Sequence, residues 1–232
     1  MLEAQFPDIV ETQPELLAYH YTEAGCQEHA VSYWQWAGER ALQRSANPEA
    51  VQHLTQALAL LATLPETPAR AQQELALQIT LGPALSATKG VAAPEVEQTY
   101  ARARALYAQV GETPQLFRTL RGLCRFYQSR GALQTARELA EQLSRLAQRG
   151  AAPTPRLEAH DALGSTLFFL GEYGAAWRHF EQGIALTDPA TQQALALRLG
   201  EAPGVRCLTY AALTLWCLGY PAQGLRLSLI HI

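Results

Sequence analysis

Apolar residues recur three and four positions apart along almost the whole chain, and this spacing most constrains the fold. The dominant residues, alanine, leucine, glutamine, arginine and glutamate, all favour helix, and no alternating β-branched stretch reaches strand length. Prolines stand at the starts of the periodic segments and glycines just past their ends. The pattern therefore predicts an all-α chain of about a dozen short helices with tight connections.

This punctuation sets the expected helix boundaries. We predict helices over Pro14–Ala24, Gln27–Arg44, Pro48–Leu64, Pro68–Thr88, Pro94–Val110, Pro114–Arg130, Leu133–Arg149, Pro155–Leu170, Tyr173–Leu186, Pro189–Leu199 and Val205–Leu218, and a further start near Pro221. The glycines expected just past helix ends are Gly25, Gly90, Gly111, Gly131, Gly150, Gly171 and Gly219. The Gly82-Pro83 pair predicts a kink or a break in the fourth helix, because proline lacks an amide hydrogen and clashes with the preceding turn.

One helix pair follows a known repeat pattern closely. Its sequence is HDALGSTLFFLGEYGAAWRHFEQGIALTDP, and the tetratricopeptide (TPR) pattern is W-x2-L-G-x2-Y, then A-x3-F, then P, over about 34 residues. The matching positions are Leu163, Gly164, Ala176 and Phe180, with Gly171 in the turn. His160 replaces the tryptophan, Leu167 replaces the tyrosine, and Pro189 comes one residue late. The small residues predict a close approach of two antiparallel helices, with the phenylalanine filling the gap to the neighbouring pair.

Three weaker copies share this register, centred on Gly25, Gly131 and Gly219. Their packing positions include Ala30 and Trp34 in the first copy, Tyr127 and Ala136 in the second, and Ala211 and Gly224 in the third. Four copies in one register predict an α-solenoid of antiparallel helix pairs, that is, a TPR-like superhelix.

Longer blocks resemble the C-terminal helical region of large bacterial signalling proteins. Those proteins join a class III adenylate/guanylate cyclase or another effector to an AAA-like STAND ATPase, followed by TPR-like repeats. The blocks are ETQPELLAYHYTEAG, RSANPEAVQHLTQALALLATLPETPARAQQELALQITLGPALSATKG, APEVEQTYARARALYAQVGETPQLF and GALQTARELAEQLSRLAQR. The resemblance extends from about Leu2 to Arg226 and implies a regulatory helical module. Neither the cyclase aspartates nor a P-loop is present, since Lys89, the only lysine, is followed by glycine and no hydroxyl residue comes next.

The resemblance also implies that residues 1–226 form one helical repeat domain from a longer protein, with Met1 as the first available start in a gene fragment. The last six residues, LSLIHI, change character and match the translation of a common transposon-end sequencing adapter. We therefore predict that residues 227–232 are a non-native tail.

Charge and cysteine content narrow the functional classes. The formal net charge of −3 points to neither nucleic acid nor a membrane surface, although acidic residues dominate residues 1–100 and arginine dominates residues 101–160. The four cysteines lack CxxC spacing, which predicts buried, reduced thiols. A signal peptide and an apolar run near 20 residues are both absent, so we expect a cytoplasmic protein that contacts no membrane.

Few side chains are grouped for chemistry. Cys26 and His29 have the spacing of two metal ligands, but no second pair follows, so His20, His29 and His53 are expected to be partly exposed helix residues. Glu172 and Glu181 lack a partner base. His160 and His179 are expected to pack or to lie on a helix surface. The sequence thus predicts no metal site, no cofactor and no enzymatic activity.

Arginines offer the best candidate site. Arg118, Arg121 and Arg125 fall at i, i+3 and i+7 on one face of a predicted helix, and Arg102 lies on the preceding helix. In stacked helix pairs such a row predicts a groove for a carboxylate, a phosphate or an acidic peptide. The alternative is a solvated face that pairs with the acidic N-terminal third.

The function predicted from these features is recognition without catalysis. The helical domain would bind a peptide, a protein or a small effector and bias the nucleotide state of the ATPase or cyclase domains upstream in the same chain. The alternative is a purely structural scaffold or self-assembly solenoid without a ligand. Nucleic acid is not an expected partner, because no aromatic–basic interleaving accompanies the arginines.

Overall fold

The computed structural model describes residues 13–110, 114–150, 152–188 and 202–228. Within these ranges it contains eleven α-helices and no strand. The helices are α1 Pro14–Glu23, α2 Gln27–Gln43, α3 Asn47–Leu61, α4 Pro68–Lys89, α5 Pro94–Val110, α6 Pro114–Ser129, α7 Leu133–Gln148, α8 Pro153–Phe169, α9 Tyr173–Ala185, α10 Pro203–Cys217 and α11 Pro221–Ser228. The all-α prediction is confirmed for these residues. The predicted helix Pro189–Leu199 and the glycine Gly111 lie outside the described residues.

Proline defines where most helices begin. Seven of the eleven described helices start at a proline, because its fixed φ suits the first turn and the missing amide hydrogen has no partner there anyway. α8 and α10 begin two residues earlier than predicted, at Pro153 and Pro203. In both cases the upstream proline, and not the residue two positions later, is the first residue of the helix.

The same three-residue turn recurs after five helices. In the turn after α8, Gly171 has φ +80°, the Glu172 amide donates to the Leu167 carbonyl at 2.9 Å, and the Gly171 amide donates to the Phe168 carbonyl at 3.0 Å. These two bonds define a Schellman motif, which reverses the chain tightly after a helix. The equivalent positive-φ residues of the other four turns are Gly25, Ser45, Gly131 and Gly219.

The turn between α2 and α3 is the exception in sequence but not in geometry. Ser45 has φ +59°, the only positive φ among described residues other than glycine. The Ala46 amide still donates to the Ala41 carbonyl, at 2.8 Å. A side chain in this left-handed conformation is strained and glycine usually occupies it, so the serine gives no sequence signal for the geometry of this turn.

The fourth helix continues through its proline. α4 runs without interruption from Pro68 to Lys89 with Pro83 inside it, so of the two predicted outcomes the break is wrong, and the kink stays a prediction. Gly82 lies against the ring of Tyr100 on α5, so closely that a Cβ atom there would overlap the ring. Packing of α5 against α4 thus favours an intact helix over the local preference of proline, and glycine permits that packing.

Tertiary contacts divide the chain into two compact units, Met1–Thr119 and Leu120–Ile232. In the first unit α1, α2, α3, α4 and α5 each pack against the next helix. Its core is apolar: Leu54, Leu61 and Leu77 are almost fully buried. A cluster between α4 and α5 adds Ile79 and Leu106, among others.

In the second unit α7, α8, α9, α10 and α11 also pack in sequence, and α8 additionally contacts α10. This contact between helices two apart stacks one helix pair on the next. Within the α8–α9 pair, a Cβ atom on Gly164 would lie 2.6 Å from the Phe180 ring. Ala176 and Phe180 are completely buried and Leu163 nearly so. The small residue therefore sets the distance between these two helices.

The cysteine prediction holds for only two of four residues. Cys124 and Cys207 are buried, whereas Cys26 and Cys217 are exposed, and all four are free thiols. The exposed pair lies at helix termini, in the turn before α2 and at the end of α10. Burial raises the pKa of the Cys124 thiol to about 12, so this group stays protonated.

Candidate functional site

The structure places the four predicted arginines in different environments. Arg102 donates two hydrogen bonds to Glu74, at 2.6 and 2.9 Å, within the first unit. This contact pairs an arginine of the basic segment with a residue of the acidic segment. On α6, Arg118 is exposed, Arg125 is half-buried, and Arg121 is only 9% exposed.

Arg121 belongs to a buried ion pair of the second unit. Its Nε atom lies 3.3 Å from Glu158 Oε2 on α8, and both side chains are about nine-tenths buried. A buried ion pair is favourable only when both charges stay together, since either charge alone would be desolvated without compensation. Arg121 therefore holds α6 in register with α8.

A second ion pair links α8 to α10. Arg206 Nε donates to Asp161 Oδ1 at 3.1 Å, and the Asp161 side chain is almost fully buried. The Arg206 guanidinium also lies over the Tyr210 ring, 5.7 Å from its centroid, in a cation–π contact. α8 is thus tied by carboxylates to an arginine on each side.

Hydrogen bonds continue the contact between α6 and α8. Gln128 Nε2 donates to the hydroxyl of Thr166 at 2.6 Å and lies within 3.1 Å of Ser165 Oγ. Ser165 and Thr166 are completely buried. We call Glu158, Asp161, Ser165 and Thr166 the polar row of α8. It orders three helices, α6, α8 and α10, side by side.

An apolar edge adjoins the polar row. We define it by Phe169, at the end of α8, with Tyr210, Leu213 and Trp216 on α10. The rings of Phe169 and Tyr210 are in edge contact, with centroids 5.7 Å apart. Phe169 and Leu213 are each 48% exposed and Trp216 is 65% exposed. Solvent therefore reaches large apolar side chains close to the ion pair of Arg206 and Asp161.

Sequence reasoning missed the polar row. Glu158, Asp161 and Ser165 stand at i, i+3 and i+7 in the text RLEAHDALGSTLFF, a spacing that places them on one helix face. The same spacing is typical of a solvated face. Only the arginines Arg121 and Arg206 opposite them distinguish a buried row from an exposed one.

The remaining candidates are dispersed or paired in an unexpected way. His20 and His29 are exposed, and Glu172 accepts a hydrogen bond from Arg137 at 2.8 Å. His160 and His179, expected only to pack or lie on a surface, contact each other directly. In the described residues no group of three or more His, Cys, Asp or Glu side chains is arranged to hold a metal ion.

The positions assigned to repeat packing lie at helix contacts and turns. Gly25, Gly131 and Gly171 occupy the left-handed turns, and Ala30 and Ala136 are completely buried. Tyr127 is half-buried beside Phe126. Trp34 is half-buried, donates through Nε1 to Thr22 Oγ1 at 3.1 Å and stacks on His53.

No helix in the described part of the chain is both long and apolar enough to cross a membrane.

Comparison with known proteins defines a fold. No protein-family model matches the chain, and no curated protein matches it. Among solved structures, the chain is similar to nearly identical TPR-like repeats assigned to a kinesin light chain of Podosopora anserina, with 23% identity and a TM-score of 0.63 over 85% of this chain and 90% of that one. A variant of the same protein gives a TM-score of 0.64 with the same identity and coverage.

MamA of MSR-1 is similar over 85% of this chain and 92% of its own, at 16% identity and a TM-score of 0.50. These likenesses agree with the sequence register, the Schellman turns and the small residues between paired helices. The chain therefore has a TPR-like fold of antiparallel helix pairs, as its sequence predicts.

Proposed function

We propose that this chain is a non-catalytic recognition module whose second unit binds a peptide segment of a partner protein across α6, α8 and α10. The observation that carries the proposal is the apolar edge. Seven of the nine exposed large hydrophobic side chains among the described residues belong to the second unit. Contiguous exposed apolar surface is unusual on a soluble protein outside interaction sites.

The polar row supports this proposal because it gives the surface a rigid base. Its carboxylates are paired with Arg121 and Arg206, so a ligand does not have to desolvate them. Helices held in register by buried polar contacts present surface side chains at fixed spacings, which lowers the entropy lost on binding.

The arginine hypothesis continues in a narrower form. Arg121 and Arg206 are paired with carboxylates of their own chain, and Arg118, exposed near the start of α6, is the arginine proposed to meet an acidic ligand group. The peptide proposed for the apolar edge carries apolar residues near α10. Acidic groups steer association and apolar anchors provide most of the affinity.

A peptide selection tests the recognition proposal. The full chain is used to select binders from a random peptide library, and affinities are measured by fluorescence polarisation. We expect Leu213→Asp with Trp216→Ala to weaken binding at least about tenfold, because apolar anchors contribute more than about 1.4 kcal/mol. Tyr19→Ala, which removes an aromatic ring that is 54% exposed in the first unit, serves as the matched control. Selected peptides that bind the double variant and the parent equally would contradict the proposal.

The proposed wider context is the regulatory region of a multidomain ATPase or cyclase. It is supported by the sequence blocks that resemble such proteins. In a chain that includes those upstream domains, Arg118→Glu is expected to abolish effector-dependent ATPase or cyclase output while basal output is retained. Unchanged effector dependence would leave recognition without this regulatory role.

A second candidate function, self-assembly, is favoured by a separate observation. Leu218, Tyr220 and Leu225, at the end of α10 and on α11, are 37–59% exposed. If this surface joins two copies, sedimentation equilibrium will show concentration-dependent dimers that Leu225→Glu dissociates. A monomer at all concentrations would remove this candidate.

A further inference from the structure

Two histidines face each other between α8 and α9. The Nδ1 atoms of His160 and His179 are 3.1 Å apart, while the ring centroids are 5.4 Å apart. The two nitrogens are therefore at the near edges of the rings. In the metal-free protein one Nδ1–H donates a hydrogen bond to the lone pair of the other Nδ1, and the two tautomers differ in which ring donates.

Both rings are kept neutral by their surroundings. Burial, with the neighbouring His179 and Arg156, lowers the pKa of His160 to about 4. Burial and Arg178 also lower the pKa of His179. A metal ion at neutral pH consequently meets two neutral imidazoles and does not have to displace a proton from an imidazolium.

We propose that His160 and His179 form a two-imidazole site for a divalent transition-metal ion of the Zn²⁺, Ni²⁺ or Cu²⁺ class. Such ions bind imidazole nitrogen at about 2.0–2.1 Å. If both nitrogens, which are 3.1 Å apart, lie at that distance from the ion, the nitrogen–metal–nitrogen angle is about 98°. This angle lies between the right angle of square-planar or octahedral ligands and the tetrahedral angle.

Binding requires small movements and a change of tautomer. Each ring turns about its Cβ–Cγ bond to aim its Nδ1 lone pair at the ion, a torsion that is soft in histidine. The hydrogen on the donating Nδ1 is released to solvent and an Nε2 takes one up, so both imidazoles stay neutral and no net proton is released. The two ring nitrogens donate their electron pairs, and water fills the remaining coordination positions.

Nearby charge limits which ions bind well. Arg156 and Arg178 place positive charge close to the pair, which weakens binding of any cation. The order of imidazole affinity therefore matters, and Cu²⁺ is expected to bind most tightly, followed by Ni²⁺ and Zn²⁺. The bound ion would join α8 to α9, whose own packing is centred on Gly164 and Phe180.

The test uses tag-free protein with the exposed thiols removed by Cys26→Ser and Cys217→Ser. Calorimetry with CuCl₂ or NiCl₂ at pH 7.5 is expected to show one equivalent bound. Cu²⁺ electron paramagnetic resonance is expected to show coupling to two nitrogens. An ion concentration about 100-fold above Kd is expected to raise Tm by about 5 °C or more, since binding to the folded state alone stabilises it.

Variants assign the ligands. His160→Gln and His179→Gln are each expected to weaken binding at least about tenfold, and the matched controls His20→Gln and His29→Gln to leave it unchanged. Absence of binding to the parent protein, or equal binding by the His179→Gln variant, overturns the proposal. If His160→Gln fails to fold, the His179→Gln variant and the two-nitrogen coupling in the Cu²⁺ spectrum of the parent decide.

Discussion

The two units differ in the kind of side chain that is buried between their helices. The first unit fills the space between its helices with apolar residues such as Leu54 and Leu61, and its ion pairs lie nearer the surface. Among the described residues, every buried charged side chain belongs to the second unit: Arg121, Glu158 and Asp161. Apolar packing stabilises helix pairs without fixing one orientation, whereas paired charges tolerate only one register. The second unit is therefore the one suited to hold a recognition surface in a fixed shape.

Removal of one carboxylate from an ion pair should give the largest difference in unfolding free energy between the two units. Glu158→Ala leaves the Arg121 guanidinium buried opposite an apolar side chain and is expected to cost about 3–5 kcal/mol of unfolding free energy. Glu95→Ala, which removes the exposed partner of Lys89 in the first unit, is expected to leave the free energy of unfolding almost unchanged, because solvent screens an exposed ion pair. Urea unfolding followed by circular dichroism measures both. Equal losses would mean that the buried pair is not distinctive.

The close approach of α8 and α9 gives the next largest effect. Gly164→Ala places a Cβ atom 2.6 Å from the Phe180 ring, and the forced repacking is expected to cost about 1–3 kcal/mol. Gly174→Ala on α9 is the matched control, because a Cβ atom there meets no other group within 4 Å. That change is expected to stabilise the protein by about 0.5–1 kcal/mol through helix propensity. A loss of stability in both variants would contradict the role assigned to Gly164.

The recurring turn allows a comparison across the two units. Ser45→Gly in the first unit relieves a side chain at φ +59° and is expected to stabilise the protein by about 0.5–1 kcal/mol. Gly171→Ala in the second unit, at φ +80°, is expected to destabilise it by about 1–2 kcal/mol. Thermal unfolding of the two variants beside the parent checks both signs. If Ser45→Gly lowers Tm, the serine contributes something beyond its strained backbone.

A drop in pH should produce the smallest difference in stability between the two units. The pKa of a histidine is about 6.5 in the unfolded chain, whereas burial lowers the pKa of His160 in the folded protein to about 4. The free energy of unfolding therefore falls as pH drops from 6.5 to 4. Burial lowers the pKa of His179 in the second unit and of His53 in the first, so the second unit loses more. We expect less than about 1 kcal/mol per half-buried histidine, because solvent screens such groups.

Urea midpoints at pH 7.5 and 4.5 measure the acid effect. A His160→Gln variant should lose less stability over this range than the parent, since its glutamine does not titrate there. The same pH dependence in variant and parent would show that other groups cause it.

Much of the candidate site could not be predicted from the sequence, because it depends on contacts between residues of different helices. Arg121, Arg125 and Arg118 were found as a helical row, but a helical row does not reveal which member is buried. The carboxylate of Asp161 pairs with Arg206, 45 positions later in the chain, and no local pattern indicates that contact. The His160–His179 contact was missed in the same way, because it depends on how α9 lies on α8.

Helix boundaries and turns, in contrast, are local properties. Proline fixes φ within its own residue, and glycine at Gly171 or Gly219 accepts the left-handed conformation without strain, so the order of short paired helices can be predicted from neighbouring residues alone. The path of α4 through Pro83 and the burial of Glu158 were decided only by the folded chain. Each depends on a side chain from another helix, Tyr100 for α4 and Arg121 for Glu158. The energy of such a contact outweighs the preference of the local sequence.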